Sequence, residues 1–417
     1  MKKTLIAVAA AAALTTSAFA EITFGSWLRV LTAPVASNGK DTIAVTSNSW
    51  GGNDWGSPAR VARLDVHAAA EDGKVGFEMG VWNDMKSGLG AGDDAYIWAK
   101  PVDAVKVSVG NFDAPTPLRG DFCYGSWNWL RPVSSWIAED EGLLMSGRQN
   151  NGLKVEITPM DGLYVLVMAP ISTTAKKAED VYKNLQTGFA YNIEGVGKIK
   201  AQLMLKNTEK LEADKAATYK IKSVAADGTV TAEVDEKAET KHDAYLDKTV
   251  EVAFDLTSVE NLYVGVGFQM VMLDKMEDRG LQANQKMKIA LAAGYQVNDE
   301  LKVSASGAYF MYQKSGDEGA DGRFQAGVGV DYNLGDGMNL SADVRYLSKA
   351  KVGGTEIDKS DKMAFSVGVT KGISSNGYMG VAFQAQTNGG KWANGAFAAT
   401  EADKLTWCVP VAISCWF

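Results

Sequence analysis

Residues 405–417 read LTWCVPVAISCWF. Trp407, Val409, Val411, Ile413, Cys415 and Phe417 are apolar at every second position, the period of a strand with one face in an oily environment. Between them stand Cys408, Pro410, Ala412, Ser414 and Trp416. These are small or amphipathic and suit a wall facing water or other side chains better than lipid. An apolar strand at a sheet edge invites aggregation unless another strand covers it, and the natural cover is the first strand of the same chain.

That strand lies behind a targeting segment. Residues 1–20 carry Lys2 and Lys3, an apolar run from Leu5 to Leu14, and Ala18-Phe19-Ala20, the small-x-small pattern of a signal-peptidase site. The run is too short to span a bilayer as a helix, and no Cys follows the cut to take a lipid. The expected mature chain begins at Glu21. Ile22, Phe24, Leu28 and Val30 then alternate with Thr23, Gly25, Trp27 and Arg29, and this is the covering strand.

The 417 residues contain 42 basic and 50 acidic side chains, and removing Lys2 and Lys3 leaves 40 against 50, a charge of −10. That balance argues against nucleic acid as a partner. No linker, long-period repeat or composition break divides residues 21–417, so one domain is expected. Forty-three Gly against nine Pro suits many strands joined by tight turns. No later stretch approaches a membrane helix, so a membrane-spanning form would have to be a closed β-barrel.

The connections point the same way. Turns at 71–74, 159–162, 193–197, 258–261, 297–300, 335–337 and 374–377 join alternating segments of about ten residues. Between those hairpins lie the longer polar or Gly-rich stretches 111–147, 207–247, 273–283, 315–321, 350–361 and 388–403. Short turns alternating with long loops characterise a transmembrane barrel, and a soluble sandwich has no reason to sort them. The expected fold is all-β, a transmembrane antiparallel barrel of about 18 strands, within a range of 16 to 20. Residues 219–224 and 229–234 form a further hairpin inside 207–247, too rich in Lys and Glu for lipid, which is placed outside the wall.

Signal peptide, alternating strands and a terminal aromatic strand ending at Phe417 resemble the Gram-negative-type outer-membrane porins. The resemblance implies an outer-membrane location, passive diffusion of small hydrophilic solutes and ions, and a homotrimer in the lipid bilayer. It also implies pairing of the first and last strands, and recognition of Phe417 by the outer-membrane assembly machinery. In many porins the third outer loop folds into the lumen. Here that loop, 111–147, is unusually apolar, with Phe112, Phe122, Tyr124, Trp127, Trp129, Leu130 and Trp136. Burying each ring is worth on the order of 2 kcal/mol by area. Folded inward, the loop would bring Arg119, Asp121, Trp127, Trp129, Arg131, Glu139, Asp140 and Glu141 to a constriction. The same aromatics would equally pack an external lid or a neighbouring subunit, and Trp127, Trp129 and Trp136 would suit sugar rings.

With the oily side of each strand outward, the lumen receives Arg29, Arg63, Lys106, Arg148, Lys154, Lys198, Lys200, Lys286, Lys288, Lys302, Arg323 and Arg345. The acids on that face are Asp65, Glu78, Glu156, Glu251, Asp255, Asp331 and Asp343. A basic excess favours anions, although any single wall charge more often meets water or a neighbour.

Enzymatic readings find little support. His67 faces the lumen and His242 lies in the charged loop 207–247, neither with a triad nor with metal-ligand spacing, and no cofactor motif is recognisable. Cys408 and Cys415 lie on opposite faces of one strand and cannot pair. A Cys123–Cys408 bridge would pin the third loop to the wall, and buried single cysteines are the alternative. A surface adhesin or structural barrel without transport is the competing function.

Overall fold

The computed structural model describes residues 20–37, 42–43, 60–84, 88–112, 116–118, 151–171, 178–208, 218–224, 230–236, 244–275, 283–314, 322–388 and 405–417. The chain opens with β1 (Ala20–Ser37), a two-residue β2 (Thr42–Ile43) laid against its end, β3 (Arg60–Ala70) and β4 (Val75–Asp84). β5 (Gly88–Val102), β6 (Val105–Asn111), β7 (Asn151–Met160) and β8 (Leu163–Ala169) follow. A short helix α1 (Ala178–Tyr182) precedes β9 (Gln186–Ile193) and β10 (Gly197–Thr208). β11 (Thr218–Val224) and β12 (Val230–Glu236) pair only with each other, outside the wall as the charge pattern required. The wall resumes with β13 (Tyr245–Leu256), β14 (Leu262–Met272), β15 (Ala283–Gln296), β16 (Leu301–Lys314), β17 (Arg323–Gly335) and β18 (Met338–Leu347). A hairpin of β19 (Lys351–Val352) and β20 (Thr355–Glu356) intervenes before β21 (Lys362–Ser374), β22 (Gly377–Gln386) and β23 (Thr406–Trp416).

Eighteen of these strands close into one antiparallel ring. β1 lies against β3 from Ala20 to Leu28 and against β23 from Trp27 to Ser37, so the two pairings overlap only at Trp27 and Leu28. Ser26 and Phe417 exchange backbone hydrogen bonds of 2.9 and 2.8 Å at the end of this seam. Higher up, the register slips between Thr32 and Val35, where Ala33 and Pro34 stand against the single residue Pro410. Two residues that cannot donate to a ladder are thus accommodated in one bulge.

The two faces differ as period-two patterning demands. Phe24, Ile97 and Val328, exposed at 63%, 65% and 60%, stand on the outside, and lipid is the environment in which such a face costs nothing. Outward rings at the loop-bearing end form contacts from Phe324 to Tyr346 and along Phe365, Phe383 and Trp407. Tyr378 and Trp416 meet at the other end, both at positions of inward parity.

Tight turns gather at one end. The sharpest, Gly335-Asp336-Gly337, holds three successive residues in the left-handed region, at φ of 83°, 49° and 72°. Two expectations about the connections change. β5 and β6 are joined by a further tight turn at 103–104, and only residues 85–87 separate β4 from β5, so one outer connection is short. The third outer connection runs to residue 150, because β7 starts at Asn151.

Candidate functional site

The inward faces carry the ionisable side chains. Arg63, Lys106, Lys154, Lys198, Lys200, Lys288, Lys302, Arg323 and Arg345 share the parity of the inner, more buried positions, as the alternation predicted. Arg148 and the proposed constriction residues Arg119, Asp121, Trp127, Trp129, Arg131, Glu139, Asp140 and Glu141 lie outside the described residues, as do the side chains of Arg29 and Lys286.

The third connection is described at its start and at 116–118, and those few residues cross the barrel. Phe112 packs inward on Leu166 and Met168. Thr116 donates from Oγ1 to Gln202 Oε1 on β10 at 2.6 Å. Pro117 comes so near Gly188 that a Cβ there would sit 2.9 Å from its ring. Leu118 has 0% exposure and packs on Ala253, Ala290, Ala292, Ala308 and Phe310, inward positions of β13, β15 and β16. A segment leaving β6 is therefore seated on the far wall, in a recess made by small side chains. The sequence expectation gave weight to the tryptophans further along, and nothing in Thr-Pro-Leu advertised the seat.

Most of the wall cations have acidic or aromatic company. Lys154 Nζ lies 3.2 Å from Glu156 and over the rings of Phe112 and Tyr96, at 4.7 and 5.1 Å. Lys106 Nζ is 4.9 Å from the Trp98 ring centroid and 4.0 Å from Glu78. Arg63 bonds both Asp65 and Asp94 and lies over Trp82, which stands edge-on to Trp27. On β10, the fully buried Lys200 pairs with Asp255, whose second oxygen accepts from the Tyr263 hydroxyl at 3.0 Å. Gln202 and Gln269 both donate to Glu251. Desolvating an ionised group requires a partner of this kind. Asp94 and Asp247, which the sequence count omitted, also face inward, but so by the same parity do Lys100 and Lys362, and the basic excess is unchanged.

Two wall cations do more for the scaffold than for a solute. Arg323 donates to the backbone carbonyls of Ser348 at 2.8 Å and Ser360 at 2.6 Å, tying down the outer connection that carries β19 and β20. Arg345 lies across Gly327, where a Cβ would come within 2.8 Å of its Cγ, and reaches Ser306 Oγ at 3.2 Å on the strand beyond. In that same outer connection, Lys351 and Lys349 beside Glu356 hold its carboxyl below the usual carboxylate range, and Glu356 in turn raises Lys349.

Of the two alternatives for Cys408, a bridge to Cys123 and a buried single thiol, the structure shows the second: Cys408 is a buried thiol 3.8 Å from Gln384 Oε1 and is in no disulfide, while Cys123 lies outside the described residues. Cys415 is likewise a thiol.

Among the described residues, cavities open on the inner wall. One of about 770 Å³ lies beneath the seated loop, between Thr116, Pro117, Tyr164, Lys198 and the turn of β7 and β8. Another, of about 170 Å³, is bounded by Arg63, Asp65, His67, Glu78, Gly80 and Asp94.

Among solved structures, the fold is similar to that of an anion-selective porin from Comamonas acidovorans, with a TM-score of 0.51 at 12% identity over 95% of this chain and 100% of that one. OmpT, an outer membrane protein of Vibrio cholerae, gives 0.47 at 11% identity over 95% and 98%. OprB of Pseudomonas putida gives 0.44 at 10% over 96% and 94%. No protein-family model and no curated protein matches the chain. At these identities the first likeness establishes the fold, a closed barrel of the bacterial porin type, and the other two, below 0.5, add nothing to it.

Proposed function

We propose that this protein is an outer-membrane porin, a passive diffusion channel for small polar solutes and ions. One observation carries the reading: around a closed ring, the inner wall is set with ionised side chains while the outer wall is apolar. Charges facing inward are useful where water and solutes pass, and are an encumbrance to a barrel that only anchors surface loops. The seating of Thr116 and Leu118 across the lumen supports the constriction reading of the third connection over the external lid. A weak anion preference follows from the basic excess of the wall, and Trp127, Trp129 and Trp136 would suit sugar rings. The same reading includes a cleaved signal peptide, recognition of Phe417 during assembly, a homotrimer and no catalytic role. Planar-bilayer recording of the purified protein tests it. Stepwise openings are expected, and a folded barrel that inserts into lipid without conducting favours the structural-barrel alternative.

A further inference from the structure

The buried side chains around Gln202 form a chain of hydrogen bonds with one sense. Leu118 N donates to Thr116 Oγ1 at 3.2 Å, and Thr116 Oγ1 donates in turn to Gln202 Oε1 at 2.6 Å. Gln186 Nε2 reaches the same Gln202 oxygen at 3.4 Å. On its other side Gln202 donates from Nε2 to Glu251 Oε2, and Gln269 Nε2 donates to Glu251 Oε1 at 2.6 Å. The wall members are register neighbours on β10, β13 and β14, with Gln202 opposite Glu251 and Glu251 opposite Gln269. Gln202 is 3% exposed and Glu251 2%, so bulk water does not stand in for a lost partner.

The sense is set at the carboxylate. A carboxylate accepts and cannot donate, whereas a glutamine amide does each at a different atom and a threonine hydroxyl does both at one. With both Glu251 oxygens accepting, Gln202 presents its nitrogen to Glu251, and its oxygen is thereby turned to Thr116. Turning the amide over would set oxygen against oxygen at Glu251. It would also bring a second donor to Thr116 Oγ1, which already accepts from Leu118 N, and leave the hydroxyl hydrogen without Gln202 Oε1 as its acceptor. Polar groups mismatched in a buried place carry their full desolvation penalty.

We infer that Glu251 is a positioning residue of this pore: acting through Gln202, it presents the acceptor on which the third connection is seated across the lumen. The inference rests on the diffusion-channel reading and extends the seat from Thr116 and Leu118 to a residue of β13.

Planar-bilayer recordings of the full-length protein test it, through brief excursions to a larger current that report the crossing unseated. Glu251→Gln keeps the shape of the side chain and adds a donor, so Gln202 is no longer held in one sense. Thr116→Val removes the hydroxyl that uses that sense. Each should raise the fraction of open time spent at the larger current about fivefold, the scale of one hydrogen bond. The two together should raise it no further, because both cut the same chain, whereas independent effects would multiply to about twenty-five-fold. Exchanging the wall residues, Glu251→Gln with Gln202→Glu, should return it to the parent value. The carboxylate then accepts from Thr116, Gln186 and the amide at 251, and that amide still accepts from Gln269. A general loosening of the wall would not be repaired by the exchange. A Glu251→Gln or Thr116→Val channel as quiet as the parent overturns the inference, as does a double variant whose effects multiply or an exchange that stays raised. Should Glu251→Gln alone not assemble, the exchange decides in the same way. Absence of any stepwise opening from folded barrel overturns the channel reading, and this inference with it, and is distinguishable from the other results because no current flows.

Discussion

Thr116 and Gln202 are joined by a 2.6 Å hydrogen bond although they belong to opposite parts of the barrel, one on the third outer connection and the other on the inner face of β10. The bond fixes where that connection crosses, and Leu118 two residues later turns the crossing into a seat. Leu118→Ala should weaken the seat by about 2–4 kcal/mol, the usual cost of emptying a leucine site. Leu118→Asp should release it outright, since no partner awaits a carboxylate among Ala253, Ala290, Ala292 and Ala308. Single-channel current should rise and become noisier in both, and more so in the second. Currents identical to the parent in a fully assembled barrel would mean that the crossing does not narrow the pore.

A different test concerns Lys200, fully buried and paired with Asp255. Lys200→Met strands an acid in a dry setting, and breaking such a pair by removing one partner costs about 3–5 kcal/mol. The temperature at which the detergent-solubilised barrel loses its heat-modifiable mobility should drop. Adding Asp255→Leu should restore most of it, because replacing the whole pair with apolar groups is close to neutral.

Arg323→Ala should free the connection from 348 to 361 by removing two side-chain donors to its carbonyls. Trypsin is then expected to cut faster after Lys349, Lys351 or Lys359, while the parent resists. Equal cleavage rates would mean that the small hairpin stands without its anchor.

The ion pairs in that hairpin also predict a pH response. Because Lys351 and Lys349 lower the Glu356 carboxyl, their help is fully present above its unfolded value and is lost as pH falls through the depressed one. Protection of the β19 and β20 amides, taken relative to their intrinsic exchange rates at each pH, should therefore hold at pH 5 and fall only at more acid pH. Protection already lost at pH 5 would contradict the assignment.

Orientation can be read directly. A membrane-impermeant thiol reagent on intact cells should label Lys351→Cys, on the long-loop end, and leave Asn376→Cys, in the tight turn of β21 and β22, unlabelled until the outer membrane is ruptured. The reverse pattern would invert the topology.

The sequence displayed which way the side chains of most wall strands face, because an apolar surrounding outside and a polar one inside impose a period of two on residues such as those from Thr406 to Ile413. β5 was less legible. It opens on GLGAGDD, where glycines and acids hide the alternation, and Asp94 was missed with it. The role of Arg323 could not be seen at all, since its acceptors are backbone carbonyls of a connection with no pattern of its own. The seat of Thr116 and Leu118 was equally silent: a threonine and a leucine become a crossing point only when Gln202 and a run of alanines stand where the fold puts them.

The arrangement of β1 has a bearing on how the molecule comes to exist. It meets β3 over one half and β23 over the other, with Trp27 opposite Trp416 where the halves join. One of those partners is made almost at once, and the other only when nearly everything else has been synthesised. Until then the strand carries a bare edge that any other strand, including one from a second copy, can occupy. Correct closure is thus a contest between a distant partner of the same molecule and nearer strangers, and crowding many unfinished copies together should yield mispaired chains.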